Sequence, residues 1–108
     1  ASLEEKYLSP LTIENYRRIK ESVLERGIKL VSVQYPLRKL EPLKNMLGEE
    51  GGVVFVDNEK TFKEAVKNES YEQYFVDNFA GDFGHFSTYG NKLIAENIAD
   101  AIITNFFN

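Results

Sequence analysis

Ile28-Lys29-Leu30-Val31-Ser32-Val33-Gln34-Tyr35-Pro36 is the stretch on which the fold turns. Apolar and β-branched residues dominate it. Pro36, which has no N–H to give a ladder, ends it, so residues 28–34 read as a buried strand. A second run of strand formers, Val53-Val54-Phe55-Val56, is closed by Asp57-Asn58 and gives a second buried strand over 53–56. Ahead of the first strand, Ser9-Pro10 reads as an N-cap and first helical residue of a helix over 10–26. Ile13, Tyr16, Ile19, Val23 and Leu24 form its apolar stripe, and Gly27 stands where helices end. Between the strands, Leu37, Leu40, Leu43, Met46 and Leu47 mark a shorter helix that Pro42 obliges to start near it or to bend there. Continuous apolar strands joined through helices argue for parallel pairing by right-handed crossovers, with helices over both sheet faces. The fold class is α/β, a short parallel sheet flanked by helices.

Downstream, Phe62, Ala65 and Val66 indicate a short helix. Tyr71 to Phe86 is aromatic-rich, with turn residues at Asp77-Asn78 and Gly81, and reads as a long ordered loop. Ser87 caps a final helix that buries Leu93, Ile94, Ile98, Ala101, Ile102 and Phe106 and turns Lys92, Glu96, Asn97 and Asp100 to solvent. Sheets usually have about 4–6 strands. Two are few, so the chain reads as part of a larger fold, or as one that pairs with a second copy through an exposed sheet edge to form a homodimer.

The 108 residues are 43% hydrophobic and 28% charged, which suits one globular domain with a modest core. Thirteen basic and 17 acidic residues leave a net charge of -4 with no basic run, so nucleic acid is not expected as a partner. Lys39, Lys44, Lys60, Lys63 and Lys67 are interspersed with acids, as on a solvated face. Cysteine is absent, which excludes a disulfide scaffold and a cysteine zinc site, and the single histidine, His85, cannot build a multi-histidine centre. Asp77, Asp82 and His85 are too sparse a donor set to predict a metal, and no cofactor is expected. No apolar run of about 18 residues and no signal-like segment appears, so neither a membrane span nor an export signal is expected in this chain. The compartment stays open.

Gly81-Asp82-Phe83-Gly84-His85-Phe86-Ser87 is the segment that can carry chemistry. Asp82 lies three residues before His85, just ahead of a helix start. A carboxylate that accepts the Nδ1–H of an imidazole fixes its tautomer and stabilises the imidazolium formed when Nε2 takes a proton. The same spacing also fits a surface histidine near a capping carboxylate. Phe75, Phe79, Phe83, Phe86, Tyr71, Tyr74 and Tyr89 surround the pair, either lining an acyl or sugar pocket or packing the loop onto the sheet, the second being favoured. Ser87 is expected to spend its oxygen on the helix cap and not to act as a nucleophile.

Asp82-x-x-His85 followed by Ser87-Thr88-Tyr89-Gly90-Asn91-Lys92-Leu93-Ile94-Ala95-Glu96 resembles the last block of the SGNH hydrolases, the GDSL-type esterases and lipases. Lys29 to Pro36 is similar to the strand after that family's third block, so the resemblance spans nearly the whole chain. It implies the C-terminal part of a flavodoxin-like, three-layer α/β/α domain, with His85 as general base and Asp82 as its orienting acid. The implied substrate is a carboxylic ester or an acetylated carbohydrate, hydrolysed by the full-length parent. Ser2, Ser9, Ser22, Ser32, Ser70 and Ser87 all lack the family's Gly-Asp-Ser-Leu-like context, and the family's oxyanion glycine and asparagine have no counterpart. A fragment with the base and acid alone is expected to be inactive. A non-catalytic α/β interaction module and an acyltransferase of the same family are the alternatives.

Overall fold

The computed structural model describes residues 9–49 and 51–107, and Ser2 with the polar lead-in lies outside them. Helix α1 (Pro10–Glu25) starts where Ser9 Oγ accepts the Thr12 N–H at 3.1 Å. It ends in a paired C-terminal motif: Gly27 N–H reaches Leu24 O at 3.0 Å and Ile28 N–H reaches Val23 O at 3.1 Å. Gly27 holds φ at 72°, which this motif requires. Strand β1 (Leu30–Val33) is shorter than the sequence implies, because the paired register runs only from Leu30 to Val33, with Gln34 N–H adding a bond to Val56 O at 3.2 Å. Helix α2 (Glu41–Leu47) begins with Pro42 in its first turn, so the proline sets the start and makes no kink. Leu37 and Leu40 consequently lie before the helix, and Leu37 adopts φ 65° in the turn.

Strand β2 (Val53–Val56) pairs parallel with β1 in the register Leu30↔Val53 to Val33↔Val56, the pairing that the apolar runs predict. Helix α3 (Glu59–Asn68), the single turn α4 (Tyr71–Tyr74) and helix α5 (Thr88–Phe106) complete a mixed α/β chain of five helices and two strands among the described residues. The turn α4 corrects the reading of 71–86 as wholly irregular. Four residues are too few to show helical periodicity, and Ser70, whose Oγ accepts the Gln73 N–H, nucleates it locally. None of the described helices is long and apolar enough to cross a membrane.

Two clusters form the core. One gathers Phe62, Tyr74, Phe75 and Phe83 with α5 residues Leu93 and Ile94 against them. The other gathers Met46, Leu47 and Val53 with Ile13, Leu24 and Leu30. A polar link joins the carboxyl ends of both strands to α5. The fully buried Asn58 donates to Gln34 O at 2.7 Å and accepts from Asn97 Nδ2 at 2.8 Å. Asn97 thus serves a buried amide instead of facing solvent, since Asn58 would otherwise lose a hydrogen bond.

The α1 stripe is only partly covered. Tyr16 and Ile19 are 45% and 53% exposed. They border a groove of about 210 Å³ that is also lined by Leu30, Val31, Ser32 and Val33. Four successive strand residues point alternately to both faces, so a groove touching all of them runs along the edge of β1. That edge has no ladder partner among the described residues.

Candidate functional site

The loop between α4 and α5 closes on itself like a short hairpin. Phe75 and Phe86 form an isolated antiparallel bridge, Val76 N–H donates to His85 O at 2.9 Å, and Ser87 N–H donates to Tyr74 O at 3.0 Å. The bridge sets Val76 beside His85, which brings Asp77, the next residue, against Gly84 and within reach of His85. Asp77 Oδ1 accepts the His85 backbone N–H at 2.7 Å, and Asp77 Oδ2 lies 2.7 Å from His85 Nδ1. A carboxylate can only accept, so Nδ1 carries the proton and Nε2 holds the lone pair of the neutral ring. The imidazole is 70% exposed, and Nε2 has no hydrogen-bond partner among the described residues.

Several neighbours hold Asp77 in place. Tyr71 Oη donates to its backbone carbonyl. Gly84 packs so tightly against it that a Cβ there would lie 2.0 Å from Asp77 O and 2.4 Å from Oδ1. The His85 backbone N–H, and then its ring, hold the Asp77 carboxyl below the usual carboxylate range. Burial, followed by the charges of Asp77, Asp82 and Glu72, pushes the Tyr71 phenol up. Tyr71 therefore remains a donor to the loop.

Asp82 is placed elsewhere. Its carboxylate takes a fork from Arg38, with Nε to Oδ2 at 3.1 Å and Nη2 to Oδ1 at 3.2 Å. The hydrogen bond to His85 that the three-residue spacing assigns to Asp82 is made by Asp77. The tip turn accounts for this: Asn78 and Gly81 bond reciprocally and Ala80 N–H donates to Phe83 O, which directs residue 82 toward Arg38. In the sequence Asp77 reads as a turn residue and as a member of a sparse donor set, not as the hydrogen-bond partner of His85. Its eight-residue separation from His85 is no local motif and becomes a contact only through the Phe75–Phe86 bridge.

Of the surrounding aromatics, Tyr74, Phe75 and Phe83 are core residues, and Tyr71 and Phe86 pack against them. Phe79 is exposed and lies against the His85 ring with centroids 4.6 Å apart. Tyr89 is exposed on α5. Ser87 Oγ accepts the Gly90 N–H and donates to Gln73 O at 2.6 Å, so both its capacities are spent. No three His, Asp or Glu side chains among the described residues are grouped to hold a metal ion. The grooves of about 210 and 310 Å³ lie beside β1, lined by residues 12–47, and neither includes His85 or Asp77.

The arrangement can accept a proton at Nε2 and stabilise the resulting imidazolium against Asp77. In comparisons with known proteins, no family model, curated protein or solved structure matches the chain.

Proposed function

We propose that this chain carries the base-supplying part of a serine acyl hydrolase of the SGNH, GDSL-esterase type. One observation carries the reading: Asp77 grips both the backbone N–H and Nδ1 of His85, leaving Nε2 directed to solvent in a fixed tautomer. His85 Nε2 takes the proton of a nucleophilic serine as its oxygen attacks an ester carbonyl, and the imidazolium then gives that proton to the leaving alkoxide. Water repeats the exchange on the acyl-serine and releases the acid. Asp77 is the orienting carboxylate in this scheme, and Phe79 lies where it can meet an apolar or sugar group beside the ring.

None of the serines stands in the family's nucleophile context, so the serine and its oxyanion donors belong to further sequence that completes the domain. The free edge of β1 supports this, because a parallel sheet in a flavodoxin-like domain continues beyond two strands. The substrate is a carboxylic ester, with O-acetylated carbohydrate as the narrower form.

The test is made on the full natural polypeptide that contains residues 1–108, with an aryl acetate as substrate and a fluorophosphonate as label for an activated serine. His85→Ala should lower kcat/KM by about 10³-fold or more and suppress labelling. Hydrolysis and labelling that persist at the wild-type rate in His85→Ala would overturn the reading, as would absence of both in the wild type.

A further inference from the structure

Arg38 connects the turn after β1 to the tip of the loop that carries His85, 44 residues away from its partner Asp82 in sequence. Besides its fork on the Asp82 carboxylate, Nη2 donates to Ala80 O at 3.4 Å. The guanidinium also stands over the Phe83 ring, 5.3 Å from its centroid. A planar, fixed fork that meets a carboxylate, a carbonyl and a ring face holds orientation in a way a single ammonium cannot.

Both ends of this strut are anchored. On the β1 side, Leu37 holds φ at 65°, a conformation unfavourable for a leucine that persists only where the surroundings fix it, and it packs on the Phe62 cluster. Tyr35 stacks on Phe83 at 5.1 Å. On the loop side, Phe79 lies between the Phe83 ring, 5.9 Å away, and the His85 imidazole, 4.6 Å away. The strut therefore reaches the imidazole through Phe83 and Phe79. It also occupies the second carboxylate near His85 in sequence, which leaves Asp77 as the acceptor at Nδ1.

We propose that Arg38 is a positioning residue: by holding Asp82 and the Ala80 carbonyl it fixes the loop tip, seats Phe79 against the His85 ring, and keeps Nε2 in one orientation. The proposal rests on the reading of His85 as a general base. Arg38 touches no reacting atom in this scheme.

The experiment compares Arg38→Ala, Arg38→Lys, Asp82→Asn and the swap Arg38→Asp with Asp82→Arg, in the same full-length polypeptide and aryl acetate assay. A positioning role lowers kcat by about tenfold or more in the first three with KM changed less than about twofold, and the swap recovers part of the loss. In histidine-labelled NMR, with His85→Gln identifying the resonance, the nuclear Overhauser effects between the Phe79 and His85 rings should vanish in Arg38→Ala, while the low-field His85 amide bonded to Asp77 remains. Wild-type kcat in Arg38→Ala and in Asp82→Asn, with the ring-to-ring effects intact, would overturn the proposal while leaving the His85 reading standing. Wild-type activity in His85→Ala would instead remove the reading on which the proposal rests.

Discussion

The two sides of this chain solve the problem of apolar surface differently. In the aromatic cluster, Phe62 is fully buried and touches Tyr74, Phe75 and Phe86 in offset or edge contacts between 5.6 and 6.4 Å. Along β1, by contrast, Tyr16, Ile19 and Val33 stay exposed around a strand edge that has no ladder partner among the described residues. The closed side builds the His85 loop from α3, α4 and α5 and their connections, with Tyr35, Leu37 and Arg38 from the turn after β1 bracing it. The open side carries a helix stripe and a strand edge that the described residues do not cover. The His85–Asp77 pair is thus fully assembled on one side, while the other side presents a strand edge that the described residues leave uncovered.

The largest effect expected from breaking this contrast is at Phe62. Phe62→Ala should cost about 3–5 kcal/mol of unfolding free energy, read from urea denaturation, because it opens a cavity under the whole loop. Next is Gly84→Ala. Its Cβ would collide with the Asp77 backbone carbonyl, so Asp77 must move away from His85. A decrease of about 1–3 kcal/mol in stability and disappearance of the low-field His85 amide are the expected results, measured by denaturation and NMR.

A smaller effect lies in the pH dependence. The Asp77 carboxyl is depressed by the His85 backbone N–H and ring, so its contribution is fully present above the unfolded carboxyl value of about 3.9. It is lost as pH falls through the lower folded value. The stability gap between wild type and Asp77→Asn should therefore narrow below about pH 4, seen in urea midpoints across an acid series. The smallest effect belongs to the open side. Ile19→Ala in the chain alone should change stability by no more than about 0.5 kcal/mol. A loss comparable to that of Phe62→Ala would mean that the α1 stripe is covered after all.

What the sequence discloses follows from range. The caps at Ser9 and Ser87, the end of α1 at Gly27 and the runs that form β1 and β2 are all decided within a few residues, and each is legible. Parallel pairing follows from the apolar runs and the helices between them. The turn α4 is too short for periodicity, and Asn97 reads as solvent-facing because its buried partner, Asn58, is 39 residues away. The site divides in the same way. His85 is legible as the single histidine before a helix cap, whereas its carboxylate partner depends on a loop closure that no short motif encodes. Spacing favours Asp82; the closure delivers Asp77 and gives Asp82 to Arg38. Beside the turn residues Asp77-Asn78 and Gly81, Gly84 is the signal in the sequence that fits the closure, since glycine admits close backbone approach.

The most direct test of the account sets two conservative substitutions against each other in the full natural polypeptide, with kcat/KM for an aryl acetate as the readout. Asp77→Asn offers His85 Nδ1 an amide that can donate to it and favour the wrong tautomer, so it should cost about 10³–10⁴-fold, while Asp82→Asn should cost only tens of fold. The reverse order, with Asp82→Asn the crippling change and Asp77→Asn near wild type, would contradict the account.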